Sequence, residues 1–253
     1  MSSLNNELIN LQREVSKKNS ELKRLNEIKN NFIGMAAHDL RNPLININSM
    51  ADFLNKRKNE MDKTERKFLN YIKSQSTFLL NMVNELLDVS AIESGSVKLD
   101  LRKTDIISLI KENIAINKDL AEKKEIVIRC ESNEETVFVV LDSRKIDQVI
   151  TNFLTNAIKY SEEGTEIIIN VTKKSKEVLV EIKDQGQGIR KDELDLLFKP
   201  FQKTSTQTTS GEKSTGLGLY IVKRIIEAHK GSVGVRNRLK KGSVFFFNLP
   251  LKS

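Results

Sequence analysis

Residues 32–54 read FIGMAAHDLRNPLININSMADFL and predict the helix around which the rest of this chain is organised. The apolar residues recur in steps of three and four, which is typical of one buried helix face. They are Phe32, Ala36, Leu40, Leu44, Ile47, Ala51 and Leu54. His38 lies two positions from two of these residues, and at about 100° per residue it faces solvent roughly opposite the apolar stripe.

Polar residues and a proline lie close to His38 on the predicted helix. Asp39 is adjacent, Asn42 follows one turn later, and Pro43 lies inside the helical pattern, where it removes a backbone hydrogen bond. The sequence therefore predicts an exposed, reactive histidine on a rigid helix, and a surface histidine without a role is the alternative. A metal site at this histidine is disfavoured, because His229 and Cys130 provide no ligand at metal-site spacing.

Composition excludes several classes of protein. The 253 residues allow two domains, and no run approaches the roughly 20 apolar residues of a membrane span. The 42 basic and 34 acidic residues are interleaved without an arginine-rich arm, so we expect neither nucleic-acid binding nor membrane contact, but affinity for something anionic such as a nucleotide. A single cysteine suits a reducing compartment.

Two long helices are predicted before residue 94. Residues 1–31 carry a heptad pattern typical of a parallel coiled coil, with Lys18 in one core position. A second helix is expected over 63–93, with a seam formed by Phe68, Ile72, Leu79, Met82, Leu86 and Val89. Because two helices cannot cover faces this broad, we predict that the hairpin of residues 32–93 pairs into a four-helix bundle, giving a homodimer through residues 1–93.

After a short hinge at 93–96, residues 97–253 alternate between strand and helix patterns, which predicts an α/β sandwich with a mixed sheet. The expected strands are 97–101, 125–130, 137–142, 166–172, 177–183, 232–237 and 243–249. The expected helices are 105–123, 143–160, 191–197 and 217–230. Residues 202–215 include eight serines and threonines and no aliphatic residue, so we interpret them as a linker or a functional lid.

Polar residues on the helix 143–160 indicate a binding site. Gln148, Asn152 and Asn156 are spaced by four residues on one face, and Lys159 follows on nearly the same face. Asparagine is unfavourable inside helices, and its oxygen suits a hard cation such as Mg²⁺. A polar stripe that merely faces solvent is the alternative.

Two glycine pairs lie further along the chain. Asp184 ends a strand and begins the sequence DQGQGI, and Gly216 and Gly218 open a helix directly after the serine- and threonine-rich segment. A glycine-rich helix N-terminus suits phosphate. Neither segment is a dinucleotide fingerprint, and the chain contains no P-loop.

Taken in order, these motifs resemble the catalytic core of the sensor histidine kinases of two-component signalling. The sequence HDLRNPL beginning at His38 resembles the H-box, QVITNFLTNAIKY (148–160) the N-box, DQGQGI (184–189) the first glycine box, LFKPF (197–201) the F-box and GLGL (216–219) the second glycine box. The closing sequence GSVF (242–245) is also typical. The likeness covers residues 32–250, and its ATP-binding part is similar to the ATPase fold of gyrase and heat-shock chaperones.

The resemblance implies a coiled-coil stalk (1–31), a phosphotransfer hairpin (32–93) and an ATP-binding domain (97–253). It implies that Asp184 holds adenine, that Asn156 holds Mg²⁺ with support from Asn152, and that Lys159 and Tyr160 contact phosphate and ribose. Lys203 would close over the γ-phosphate, and Phe198 and Phe201 would anchor the base of the lid. The implied nucleotide contacts also include Gly186, Gly188, Ile189, Thr215, Gly216, Leu217, Gly218 and Leu219.

The resemblance further implies that His38 takes the γ-phosphate of ATP and passes it to an aspartate of a response regulator. Asp39 would favour the nucleophilic tautomer, and Asn42 resembles the position that supports phosphatase activity toward the regulator. We expect a cytoplasmic location, as a soluble protein or as the cytoplasmic part of a larger, membrane-anchored sensor. A non-kinase ATPase of the same superfamily and a nucleotide-binding scaffold without turnover are the alternatives. We expect His229 to cap or pack a helix end and Cys130 to lie in a strand core.

Overall fold

A computed structural model describes residues 2–56, 62–93, 99–200, 202, 205, 209, 215–238 and 241–251. They fall into two compact units, one within residues 1–97 and the other within residues 98–253. The first unit contains two long helices and the second a mixed sheet with helices, which confirms the predicted fold class. The predicted hinge residues 94–96 lie outside the described residues.

The elements agree with the predicted order. The helices are α1 (Ser2–Lys56), α2 (Lys63–Glu93), α3 (Ile106–Glu122), α4 (Ser143–Tyr160) and α5 (Gly218–Ala228), with a 3-10 helix at Lys191–Leu196. The strands are β1 (Arg102–Asp105), β2 (Val127–Ser132), β3 (Phe138–Leu141), β4 (Glu166–Lys173), β5 (Glu177–Lys183), β6 (Ser232–Asn237) and β7 (Ser243–Pro250).

Helix α1 is continuous for 55 residues, so the predicted stalk and the His38 helix are one helix. Its described stalk residues Leu11, Val15, Leu22 and Leu25 are all exposed within a single chain. Apolar side chains at heptad spacing that remain exposed are typical of a helix that pairs with another copy. In the described part of the chain, no helix combines the length and apolar character needed to cross a bilayer.

The buried face of the hairpin differs from the predicted stripe. Rows spaced by seven residues are buried between the two helices: Ala37, Leu44 and Ala51 on α1, and Leu69, Ser76, Val83 and Ser90 on α2. The side chains of Phe32 and Ala36 lie outside the described residues. The prediction that Leu40, Ile47 and Leu54 are buried is wrong for the single chain, because they form a second row that is 42–54% exposed.

Helix α2 has the same two-row arrangement. Phe68, Ile72 and Leu79, which we predicted in its seam, are 43–65% exposed. Polar contacts fix the first row: the Ser76 hydroxyl donates to the Leu44 carbonyl at 2.8 Å, and Lys73 pairs with Asp52 at 2.5 Å. The hairpin is thus closed along one buried row of each helix, and a second, apolar row of each helix faces outward.

The second unit is a two-layer sandwich. Its five-stranded sheet has the order β2-β4-β5-β7-β6, with β2 parallel to β4 and the other neighbours antiparallel. Alternate residues of β4 and β5 are fully buried, and the ring of Phe153 on α4 packs against Phe245 and Phe247 of β7, with centroids 5.2 and 6.3 Å apart. This places α4 over the middle of the sheet.

Some predicted strands and helices differ from the structure. The strand expected at 97–101 is wrong: residues 99–101 are outside any strand, and β1 begins at Arg102, where it pairs with β3 in a separate two-stranded sheet. The helix predicted at 191–197 is a 3-10 helix. Cys130 lies on the edge strand β2 and is half-buried, rather than in the core.

His229 caps and packs the end of α5, as predicted. Its Nδ1 donates to the Ile225 carbonyl at 2.8 Å, and its Nε2 accepts from the backbone N–H of Asp142 at 3.0 Å. Burial lowers the pKa of the His229 imidazole. Asp142 in turn caps α4: burial acts to raise its pKa, but hydrogen bonds from the backbone N–H groups of Asp100, Lys145 and Arg144 outweigh burial and hold the pKa below its usual value.

We expect the free energy of unfolding to decrease as the pH falls below about 6.5, the ordinary pKa of histidine. Because the pKa of His229 is lowered in the folded state, the unfolded chain takes up the proton first and is thereby favoured. Above that pH the contribution of His229 is fully present. Urea unfolding, followed by circular dichroism at pH 7.5 and at lower pH, measures the effect.

The two histidines of the chain provide the control for this measurement. His229→Gln keeps an acceptor for the Asp142 N–H but does not titrate, so its stability should depend less on pH than that of the wild type. His38→Gln removes the other histidine, which lies on α1 in the first unit, and is the control for the loss of a histidine. Equal pH dependence in the wild type and in His229→Gln would contradict this account.

Candidate active site

Helix α4 carries the predicted amide face. Its apolar side is buried in the sandwich, whereas Gln148, Asn152 and Asn156 are half-buried. The Asn152 amide donates to the Gln148 carbonyl at 3.0 Å, which leaves its oxygen directed elsewhere. The side-chain amide of Asn156 makes no hydrogen bond within the described residues. An amide that the protein leaves unbonded at a half-buried position is suited to a ligand.

Asp184 is the most strongly fixed of the predicted site residues. It is only 3% exposed, and its Oδ1 accepts from the backbone N–H groups of Gly186 at 2.9 Å and Ser243 at 3.0 Å. Its Oδ2 accepts from the Ser243 hydroxyl. A carboxylate has about four acceptor positions, so one remains for a ligand N–H group.

Ser243 is a site residue that was not predicted from the sequence. It is 4% exposed, and both its backbone N–H and its hydroxyl serve Asp184. The preceding Gly242 has φ 101°, and a Cβ at that position would lie 2.1 Å from the Asp184 carbonyl oxygen. The GSVF motif was the available signal, but its contact with Asp184 depends on the pairing of β5 with β7.

Close backbone approaches join the glycine segments to α4. A Cβ at Gly186 would lie 2.5 Å from the Tyr160 carbonyl oxygen, and a Cβ at Gly218 would lie 2.6 Å from Asn152 Oδ1. Real Cβ atoms do not approach neighbours so closely, so a side chain at Gly186 would displace the helix or the loop, and one at Gly218 would displace the Asn152 amide. The structure therefore brings the two predicted glycine boxes together with the amide helix.

The C-terminal end of α4 contacts the segment predicted as a lid. Thr209 donates from its backbone N–H to the Lys159 carbonyl at 3.1 Å, and its hydroxyl lies 2.7 Å from the ammonium group of Lys124. Lys124, only 8% exposed, also donates to the Ile158 carbonyl at 3.0 Å. Lys124 was not predicted as a site residue, because a lysine in a helix–strand turn ordinarily faces solvent.

The structure describes most, but not all, of the remaining residues that we predicted to contact the nucleotide. Lys159 and Tyr160 are half-buried at the end of α4, and the Lys159 ammonium group has no partner within the described residues. The Thr215 hydroxyl accepts from the Leu217 N–H at 3.3 Å, Phe198 is half-buried, and Gly188, Ile189, Gly216 and Leu219 are half-buried in their segments. Phe201 and Lys203 lie outside the described residues.

The phosphoacceptor candidate lies in the first unit. His38 is exposed on α1, as predicted, and Asn42 is exposed one turn later. The side chain of Asp39 lies outside the described residues. Arg41, on the same helix, donates to the Asn84 side chain on α2 at 2.5 Å, which ties this turn of α1 to α2.

The donor set determines which cofactors the site fits. Among the described residues, no cluster of three or more histidine, cysteine or acidic side chains could bind a metal ion by itself. The free Asn156 amide offers one neutral oxygen, which fits a hard cation that is held mainly by phosphate oxygens. The residues therefore fit a cation that a bound ligand brings with it, rather than a metal site that the protein builds alone.

Comparisons with known proteins agree with this geometry. Residues 28–95 match the family model of the His Kinase A (phospho-acceptor) domain, and residues 141–253 match that of the histidine kinase-, DNA gyrase B- and HSP90-like ATPases. The sensor protein KdpD of Clostridium acetobutylicum is 32% identical over 250 residues, which are 98% of this chain and 27% of KdpD. The chain therefore spans about a quarter of that relative.

Solved structures give the same result. Full-length ShkA in complex with AMPPNP has a TM-score of 0.73 and 25% identity, covering 88% of this chain and 46% of ShkA. The catalytic domain of the histidine kinase ThkA has a TM-score of 0.55 and 30% identity, covering 60% of this chain and 96% of that domain. ThkA in complex with the response regulator protein TrrA has a TM-score of 0.62 and 27% identity, covering 88% of this chain and 61% of ThkA.

The fold and site define an α/β ATPase domain that follows a phosphoacceptor helical hairpin. The chain belongs to the histidine kinase family and contains the catalytic core of a sensor histidine kinase.

Proposed function

We propose that this chain transfers the γ-phosphoryl group of ATP to His38 and then to an aspartate of a response regulator. The observation that supports this most strongly is the convergence of four separate segments on one site: α4, residues 184–189, residues 215–219 and the start of β7. An exposed histidine on a hairpin that matches a phospho-acceptor domain supplies the second substrate of the reaction.

The nucleotide roles follow from the free groups of the site. The remaining acceptor position of Asp184 suits the amino group of adenine, and the Asn156 oxygen suits Mg²⁺. Asn152 supports the Asn156 position, and Lys159 and Tyr160 contact phosphate and ribose. The AMPPNP complex of ShkA is consistent with a nucleotide at this site. Lys203, Phe201 and the glycines of residues 216–218 complete the proposed contacts.

The chemistry requires little from the protein beyond position and charge. A neutral ring nitrogen of His38 attacks the γ-phosphorus, the bond from that phosphorus to the bridging oxygen of ATP breaks, and ADP leaves. We assign to Asp39, the neighbour of His38 in the sequence, the role of accepting the proton on the other ring nitrogen, which would favour the nucleophilic tautomer. Bound Mg²⁺ supplies neutralisation of phosphate charge. Lys159 adds a positive charge close to the phosphates.

A response regulator is the proposed phosphoryl acceptor, because the similar kinase ThkA is known in complex with one. The acceptor aspartate of the regulator would take the phosphoryl group from His38 and regenerate the free imidazole. We also propose that Asn42, exposed one turn after His38, orients water when the chain acts as a phosphatase toward that regulator.

We propose that the chain acts as a homodimer through residues 1–93, with stalk (1–31), hairpin (32–93) and ATP-binding (97–253) regions. The second apolar row of the hairpin supports this, since Leu40, Ile47, Ile72 and Leu79 are exposed in a single chain. Pairing two hairpins through these rows would form the four-helix bundle and remove this apolar surface from water.

We expect Ile72→Asp to weaken the dimer about a hundredfold or more, because an unpaired charge would be buried in the bundle. Sedimentation velocity over a concentration series measures the change. Ile116→Asp on α3 is the control, since Ile116 is an isoleucine 75% exposed outside residues 1–93. A dimer unchanged by Ile72→Asp, or a wild type that is monomeric at all concentrations, would contradict the proposed interface.

Incubation with Mg²⁺ and γ-labelled ATP tests the proposed function. The wild type should acquire label that is acid-labile and base-stable, whereas Asn156→Ala should lose it. Asn133→Ala should retain it, because Asn133 bonds Lys173 at the end of β4 that lies away from Asp184. ATP hydrolysis without labelling would favour a non-kinase ATPase, and ATP binding without either reaction would favour a nucleotide-binding scaffold.

A further inference from the structure

The tip of the β6–β7 hairpin holds the segment 184–189 at one end through Asn237. The Asn237 Oδ1 accepts from the Ile189 backbone N–H at 2.9 Å, and its Nδ2 donates to the Ile189 carbonyl at 2.6 Å. Both backbone groups of one loop residue are therefore bound by one side chain. A Cβ at Gly188 would lie 3.3 Å from the same Oδ1, so the loop packs directly on this amide.

The same hairpin holds the other end of the segment. Arg238 donates from Nη1 to the Asp184 carbonyl at 2.9 Å, and the Asp184 N–H donates to the Ser243 carbonyl at 3.0 Å. Asp184 and Ile189 are the first and last residues of the glycine loop. Asn237 and Arg238, which are adjacent in the sequence, thus fix the backbone at both ends of the segment 184–189.

We propose that Asn237 and Arg238 are positioning residues for nucleotide binding. They set the shape of the 184–189 loop before the ligand arrives, and neither belongs to the motifs that carry the family resemblance. This inference rests on the proposed ATP site. A loop with two glycines in six residues has many conformations in the absence of such contacts, and ordering it on binding would cost affinity.

If Asn237 had a purely structural role, its loss would lower stability without a specific effect on nucleotide affinity. Asn133 provides a matched control for this alternative. Asn133 makes the same pair of bonds with another backbone: its Oδ1 accepts from the Lys173 N–H at 3.0 Å, and its Nδ2 donates to the Lys173 carbonyl at 3.3 Å. Lys173 ends β4 and lies outside every segment of the site. Asn133→Ala therefore removes equivalent bonds without touching the loop.

The test measures Mg-ATP affinity by calorimetry and the midpoint of urea unfolding for each variant. Asn237→Ala should weaken Mg-ATP binding about tenfold. Asn133→Ala should bind Mg-ATP as the wild type does, although its unfolding midpoint should shift by about as much as that of Asn237→Ala. Asn237→Asp keeps the acceptor for the Ile189 N–H but sets a carboxylate oxygen against the Ile189 carbonyl, so it should also weaken binding. Arg238→Met should also weaken binding.

The outcomes separate this inference from the proposed function. If the wild type binds Mg-ATP while Asn237→Ala and Asn133→Ala both keep wild-type affinity, the positioning role is overturned and the ATP site stands. If the wild type itself binds no Mg-ATP, the proposed ATP site is overturned, and the positioning role with it. Equal loss of affinity in both alanine variants would assign the effect to general stability and overturn the positioning role.

Discussion

Asp184→Asn should lose Mg-ATP binding by about a hundredfold or more, since hydrogen bonds to a buried charged group are among the strongest in a protein. Three donors converge on this carboxylate: the N–H groups of Gly186 and Ser243 and the Ser243 hydroxyl. An amide offers one oxygen in place of two, and its NH₂ group would face a donor. The position left for an adenine amino group would be lost or would carry a hydrogen.

Isothermal titration calorimetry with Mg-ATP measures this loss, with urea unfolding as a check on folding. Asp119→Asn is the matched control, because Asp119 is an exposed aspartate on α3 and the change in charge is the same. Wild-type affinity in Asp184→Asn, with intact folding, would show that the buried carboxylate does not contact the nucleotide.

Gly242→Ala should destabilise the ATP-binding unit by about 4 kcal/mol or more. The left-handed backbone alone costs a residue with a side chain roughly 1–2 kcal/mol. The new Cβ would also lie 2.1 Å from the Asp184 carbonyl oxygen and 2.8 Å from the Asp184 carbonyl carbon, and neither backbone atom can move independently of the site. We expect the loss of Asp184 geometry to abolish ATP binding even where the unit still folds.

Gly164→Ala separates strain from collision. Gly164 also has a positive φ, 71°, but a Cβ there meets nothing within 4 Å. It should therefore cost only the left-handed strain, about 1–2 kcal/mol, and leave ATP affinity unchanged. Similar urea midpoints for the two variants would refute the close approach of Gly242 to Asp184.

Local patterns predicted the elements whose signals lie within a short segment. The bounds of α2, α4, β5 and β6 agree with the structure to the residue, because each has a clear periodicity and a clear start or end. β1 was misplaced because residues 97–101 alternate apolar and polar side chains, whereas the observed strand RKTD is charged. Its strand state depends on pairing with β3, more than thirty residues away, which local propensity cannot reveal.

The hairpin illustrates a different limit. Steps of three and four predicted one broad apolar face on α1, and the structure divides it into two rows with a period of seven. Leu44 and Ala51 pack within the hairpin, whereas Leu40 and Ile47 face outward. A single sequence shows which residues are apolar, but it does not show which of two partners each row contacts.

The residues within the motifs of the site were predicted from the sequence, whereas the residues that hold those motifs in place were not. Asn156, Asp184 and the glycines have recognisable signatures, but Ser243, Asn237 and Arg238 act through contacts with residues about 50 to 60 positions away. Those contacts exist because β7 lies between β5 and β6 in the sheet. Strand order was not part of the sequence prediction, so the residues that it brings to Asp184 could not be identified.

The identity of the phosphorylated residue tests the central claim most directly. The chain has two histidines, so His38→Gln and His229→Gln, incubated with Mg²⁺ and γ-labelled ATP beside the wild type, form a complete pair. We predict acid-labile, base-stable label on the wild type and on His229→Gln, and none on His38→Gln, while all three proteins still bind Mg-ATP. Label that persists on His38→Gln would contradict the assignment of His38 as the phosphoacceptor.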